Sequence, residues 1–128
     1  MKDLVIEATK STPLIQFSAE EGVLVIRGES YPENAVSFYE SVFSWLEVYF
    51  NQDKNKPITL DIQMAYFNSS SSKILMDLFD LFEESSSEGR SVTINWRYHE
   101  ENEMALEYGE EFQEDLQEAT FNLVSYTN

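Results

Sequence analysis

Four consecutive hydroxyls, Ser69-Ser70-Ser71-Ser72, follow Tyr66-Phe67-Asn68 and precede Lys73. They lie between a short strand pattern, Ile58-Thr59-Leu60-Asp61-Ile62, and a strongly periodic helical run from Ile74 to Phe82. At a strand-to-helix turn the first helical N–H groups lack a partner inside the helix. Ser and Asn side-chain oxygens accept those bonds, so helix capping is one use of the cluster. Capping engages only one or two of the side chains and leaves hydroxyls to spare. A phosphate on a spare hydroxyl would sit at the positive end of the helix dipole. It would add about −1.5 to −2 charges to the turn. The chemistry this spacing suggests is phosphoryl acceptance.

The other reactive side chains give weaker patterns. His99, the single histidine, is followed by Glu100, Glu101 and Glu103. His and carboxylates can ligate a metal, but consecutive positions do not converge on one point. Acidic residues favour helix N-termini, so the cluster reads as a solvated helix start. No Gly-x-Ser-x-Gly elbow surrounds the serines. No phosphate-binding Gly-rich loop or dinucleotide fingerprint is present, and four glycines are poor material for either. The carboxylates read as an exposed acidic face rather than a tuned acid–base pair. Neither an enzyme, a cofactor nor a metal is expected.

The chain carries 24 acidic against 8 basic residues, a formal charge of −16. That balance argues against a nucleic-acid partner, which needs Lys and Arg for phosphate, and equally against an anionic membrane surface. It suits solubility and the steering of a basic partner. At 128 residues, 42% hydrophobic and 14% aromatic, the sequence is expected to fold as one domain, 1–128, with a real core. The absence of cysteine removes disulfides and thiolate chemistry. Leu4-Val5-Ile6 is too short for a signal-peptide core, and no run reaches transmembrane length. No membrane insertion is expected, and the cytoplasm is the default location.

The elements that must hold the serine turn follow from periodicity. Residues 4–7 suit a short strand. Leu14-Phe17 and Val23-Ile26 flank a Gly-containing loop and read as a hairpin. The second of these runs is continuously apolar, as in a strand covered on both faces. Ser30 and Glu33 have capping-box spacing, opening a helix from about Pro32 to Phe50. Ala35, Phe38, Val42, Trp45, Leu46 and Tyr49 make one apolar stripe on it. Val36, Tyr39, Phe43 and Phe50 make a second, which is either a widened buried face or an exposed interface patch. A strand over 58–63 leads to the serine turn and the second helix, which ends at Ser85–Gly89 with Gly suited to the cap. Ser91–Tyr98 alternates as a strand, Glu101–Glu118 is an acidic helix weakened by Gly109, and Phe121–Tyr126 is a last strand. No internal repeat is evident. Helix crossovers imply a mixed, mostly parallel sheet with an N-terminal β-hairpin and about three helices, an α/β fold.

Several blocks together resemble one family. Ser11-Thr12-Pro13, Gly28-Glu29-Ser30-Tyr31-Pro32-Glu33-Asn34, Leu60-Asp61 with Tyr66-Phe67-Asn68-Ser69-Ser70-Ser71-Lys73, and Gly89 through Val92, Trp96 and Tyr98 are similar to the SiaC family of bacterial regulatory phosphoproteins. The resemblance implies a STAS-like single domain acting in a biofilm and aggregation pathway. It implies a phosphoacceptor just after the Asn of the turn, here Ser69, with Ser70 and Ser71 as adjacent competitors. A serine/threonine protein kinase and a PP2C-type phosphatase are the implied modifying partners. A diguanylate cyclase, bound and activated by the unphosphorylated form to raise cyclic di-GMP, is the implied effector. Two other readings remain at this point: an anti-sigma factor antagonist, and an enzyme using the serine turn as nucleophile.

Strand-end turns of a parallel sheet collect on one edge, which places the serine turn beside the start of the first helix. The expected partner surface is therefore Tyr31, Pro32, Glu33 and Asn34, with Tyr39 from the second stripe and Tyr66, Phe67 and Asn68 ahead of the serines.

Overall fold

Alternation of apolar side chains sets the faces of the sheet. In the computed structural model, which describes residues 1–127, the strands are β1 (Leu4–Ile6), β2 (Leu14–Ser18), β3 (Val23–Ser30), β4 (Ile58–Phe67), β5 (Val92–His99) and β6 (Thr120–Tyr126). The helices are α1 (Ala35–Phe50), α2 (Ser69–Ser87) and α3 (Glu103–Asp115). Asn128, the last residue of the expected 1–128 domain, lies outside the described residues. The six strands stand in the sheet in chain order, β1-β2-β3-β4-β5-β6. β1, β2 and β3 pair antiparallel, and β3 through β6 pair parallel. This is the α/β class with an N-terminal antiparallel portion and three helices that the periodicity implied.

Each parallel pair is joined by a helix, and right-handed crossovers between strands laid down in order put every helix on the same face. Ile15, Phe17, Leu24, Ile26, Leu60, Ile62, Ile94 and Trp96 point to that face and are buried. Their neighbours Gln16, Arg27, Gln63, Asn95 and Asn122 point the other way and keep solvent contact. The continuously apolar run Val23-Ile26 is thus covered on one face only, because no crossover passes over the other. On the bare face Arg97 donates to the Asp61 carboxylate at 2.7 Å, and that bond raises the Arg97 pKa further.

Helix boundaries shift at their starts. α1 begins at Ala35, because Asn34 caps it by accepting from the Ser37 N–H at 3.0 Å. The Ser30–Glu33 capping box does not form. Ser30 is instead the last residue of β3, held there by the Asn68 N–H donating to its carbonyl. α2 begins at Ser69, five residues before its apolar pattern, so the serines form its first turn. In α3, Gly109 does more than weaken the helix. A Cβ built there would come within 2.6 Å of Trp96 Cδ1, so the missing side chain lets α3 lie directly on the indole. Trp96 Nε1 then donates to the Ala105 carbonyl at 2.9 Å.

Two polar clamps tie the layers together. Glu83 of α2 accepts from the backbone N–H groups of Gln117, Glu118 and Ala119, which fixes the connection from α3 to β6. Burial pulls the Glu83 carboxyl upward, but the three N–H bonds outweigh it and hold the group below its ordinary range. At the same end of the sheet, just ahead of β4 and β5, Arg90 is buried, donating to Ser85 Oγ and the Lys56 carbonyl while its guanidinium lies over Tyr49 and Phe50. Among the described residues no helix is long and apolar enough to cross a membrane.

Candidate functional site: the Asn68–Ser72 turn

The turn is fixed from below and open above. Asn68 leaves β4 with extended backbone, φ −86° and ψ 177°. Its side chain accepts from the Ser71 N–H at 2.9 Å, which satisfies one of the orphan donors of α2. Asn68, rather than the serines, is therefore the cap. Ser71 points inward: it is fully buried, and its Oγ lies 2.8 Å from Ser30 Oγ. Ser30 is also fully buried and lies 2.7 Å from Tyr39 Oη. Three hydroxyls from β3, α1 and α2 thus form one buried chain beneath the turn. Burial pushes the Tyr39 hydroxyl up to about 12, against the smaller opposing effect of its bond to Ser30. It stays a neutral O–H, able to donate within the chain.

This arrangement sorts the serines. Ser69 and Ser70 are exposed, Ser72 is half-buried, and Ser71 is sealed. Ser71 is accordingly removed as a competitor for modification. Ser69 occupies the first helical position with its hydroxyl outside the cap, and the first turn of α2 contains no acidic side chain. An oxyanion attached there would face unpaired N–H groups and the positive end of a 19-residue helix.

The residues expected at a partner surface separate into two groups. Tyr31 and Tyr66 meet edge to face beside the turn, ring centroids 5.8 Å apart, and Tyr66 is 54% exposed. Pro32 is half-buried, Glu33 and Asn34 are exposed, and the Asn34 side chain is committed to its cap. These stand on the same sheet edge as Ser69, as the strand-end argument required. Tyr39 does not. It is fully buried, because the sheet-facing stripe of α1 is Ala35, Tyr39, Val42, Leu46 and Tyr49. Four residues after Ala35 and three before Val42, Tyr39 shares their sheet-facing side of the helix. Phe67 is also mostly core, 8% exposed and packed on Tyr108, Phe112 and Trp96. Both are corrected from surface anchors to supports of the turn.

His99 is spent locally. Its Nδ1 accepts from the Glu101 N–H at 3.1 Å, and its ring meets Tyr126. The cap of α3 is Asn102, which accepts from the Ala105 N–H. Sequence reasoning missed this pattern: the three caps are Asn34, Asn68 and Asn102, equally spaced by 34 residues (68 − 34 and 102 − 68). The equal spacing was the available signal, and it marks three successive βα units where no repeat had been evident. It missed Ser30 as well, whose burial depends on a partner 41 residues away.

With this geometry described, comparisons with known proteins identify the chain. The sequence profile described as SiaC family regulatory phosphoprotein matches residues 6–126. An uncharacterized protein of Pseudomonas aeruginosa strain UCBPP-PA14 is 44% identical over 115 residues, 90% of either chain. The solved structure of SiaC of Pseudomonas aeruginosa is 37% identical and superimposes with a TM-score of 0.87, covering 100% of both chains. A chain in the crystal structure of the diguanylate cyclase SiaD in complex with its activator SiaC, also from Pseudomonas aeruginosa, is 38% identical. It superimposes with a TM-score of 0.88 over 98% of this chain and 100% of that one. The chain belongs to the SiaC family of regulatory phosphoproteins and is a regulatory protein rather than an enzyme.

Proposed function

We propose that the protein is a reversible binding switch. Its unphosphorylated form binds and activates a diguanylate cyclase, raising cyclic di-GMP, and phosphorylation of Ser69 ends that binding. The exposed Ser69 hydroxyl at the head of α2, outside a cap already made by Asn68, carries this reading. The likeness to an activator of a diguanylate cyclase supports the effector. A serine/threonine kinase would join Ser69 Oγ to the γ-phosphorus of ATP, with ADP leaving and the hydroxyl proton passing to the kinase. A PP2C-type phosphatase would return the hydroxyl by hydrolysis, releasing inorganic phosphate. The new charge lies where the fold accepts it, so the switch acts at the surface by repelling or blocking a partner.

Phosphopeptide mapping after incubation with a serine/threonine kinase and ATP tests the site. Modification at Ser69 is expected; modification mainly at Ser70 or elsewhere overturns the assignment. Measuring cyclic di-GMP production by SiaD of Pseudomonas aeruginosa tests the output. The unmodified chain should raise it and the phosphorylated chain should not.

A further inference from the structure

β4 pairs with β3 as far as Ser30 and Phe67, but with β5 only as far as Gln63 and Arg97, although both strands run on. A crevice opens between β4 and β5 where α3 begins. Asn102 bridges part of it, its Nδ2 donating to the Ala65 carbonyl at 3.2 Å. What remains is a pocket of about 260 Å³. Tyr66 and Phe67 of β4 and Met104 and Tyr108 of α3 line it, together with the small Ala65 and Ala105, and no residue of α1 or α2 takes part. The Phe67 and Tyr108 ring centroids are 4.8 Å apart and the rings are tilted by 57°, so they present two differently directed π faces. Tyr31 meets Tyr66 edge to face and braces it. Tyr66 and Met104 are 54% and 64% exposed, two large side chains left open to solvent at one mouth.

In open α/β sheets, crevices at the carboxyl ends of strands are where ligands are held. The lining sets the chemistry of this one. Neither β4 nor α3 contains Lys or Arg, so a phosphate or carboxylate would find no cation on either wall. α3 carries Glu103 and Glu107 along the same stretch, and Glu103 already answers the positive end of the helix. Aromatic rings offer their negative faces to a cation, and the Met104 thioether is polarizable. The cation must be one that needs few hydrogen-bond acceptors. Asn102, the side-chain amide of the lining, is spent: its Oδ1 accepts from the Ala105 N–H and its Nδ2 holds Ala65. A primary ammonium would bring three N–H donors to a lining built mainly of rings and methyl groups, whereas a quaternary one brings none. We infer that the β4–β5 crevice is a binding site for a small quaternary ammonium ion of choline size, held by the ring faces of Tyr66, Phe67 and Tyr108. The inference is independent of phosphorylation at Ser69 and of the identity of the effector.

The test is a titration of the full chain followed by the NMR signals of its backbone amides. The probes are choline chloride and dimethylbutanol, the neutral carbon isostere of choline. Sodium chloride holds the ionic strength constant, because a chain of charge −16 gathers any cation loosely. Choline should move the amides of Ala65, Met104 and Tyr108 and reach saturation. The isostere has the same shape without the charge and should bind about tenfold more weakly or worse. Tyr108→Leu should weaken choline about tenfold, and Tyr108→Phe, which keeps the ring, should bind like the parent. Tyr66→Leu, at an exposed position where little stability is at stake, should weaken it about fivefold. Tyr126→Leu removes an aromatic ring beside His99 instead and should change nothing. Shifts that fail to saturate, or that spread over the acidic surface, reduce choline to a counterion and overturn the inference. Equal binding of choline and its isostere makes the crevice a plain apolar pocket and overturns it as well. So does choline binding indifferent to both Tyr108→Leu and Tyr66→Leu.

Discussion

The N-termini of α2 and α3 share a cap and differ in the residue that follows it. Asn68 accepts from the Ser71 N–H at 2.9 Å, and Asn102 accepts from the Ala105 N–H at 3.1 Å. In both turns the third helical residue is buried, Ser71 fully and Ala105 to 4% exposure. In both the first helical residue is exposed, but α3 has Glu103 there and α2 has Ser69. A carboxylate at the first position of α3 is permanent and favoured by the helix dipole. The equivalent position of α2 lacks that charge until something supplies it. The fold therefore already contains an example of what a charged first residue looks like, and that example leaves the helix intact.

The largest effect should come from moving the charge two residues inward. Ser71→Asp would bury a carboxylate against Ser30 and Tyr39, where helix-end attraction cannot replace lost water. A loss of about 3 kcal/mol or more is expected in chemical denaturation. A small loss would mean that the turn opens easily and that Ser71 is reachable after all. Removing either cap should cost less. Asn68→Ala and Asn102→Ala are each expected to lose about 1 kcal/mol. The Asn102 change should be the greater of the two, because its Nδ2 also donates to the Ala65 carbonyl. Denaturation midpoints compare them directly; no loss for Asn68→Ala would show that the exposed serines can take over the cap. The smallest effect belongs to Ser69→Glu, which copies α3. Stability should change by less than about 0.5 kcal/mol, with an unaltered circular dichroism spectrum. A larger loss would break the equivalence of the two turns and make phosphorylation a refolding event.

Most of this scaffold was readable because it rests on periodicity. Trp96 and Ile94 alternate with Arg97 and Asn95, and that pattern alone assigns β5 and its buried face. The neighbourhood of Tyr31 and Ser69 followed from strand-end geometry. The errors arose where local signals competed. Ser30-Tyr31-Pro32-Glu33 has the spacing of a capping box, yet Asn34 is the cap, since β3 runs on to Ser30 through bonds to residues far away in the chain. Spacing groups Tyr39 with Val36, Phe43 and Phe50 on α1, yet it lies four residues after Ala35 and three before Val42 and shares their buried face, where its hydroxyl meets Ser30. Arg90 and Ser71 are buried by partners from other segments, which no pattern along one segment can announce. Gly109 carried its propensity cost openly and its packing role not at all, because that role depends on an indole in another element.

Strand order in the sheet repeats strand order in the chain. Every strand is laid against the one made just before it, so no pairing skips over an intervening strand, and each parallel pairing waits only for the one helix between its two strands. During synthesis each βα unit can dock on an edge that is already complete, and the growing edge moves one strand at a time from β1 to β6. β1 and β6, the first and last strands made, consequently form the opposite margins of the sheet.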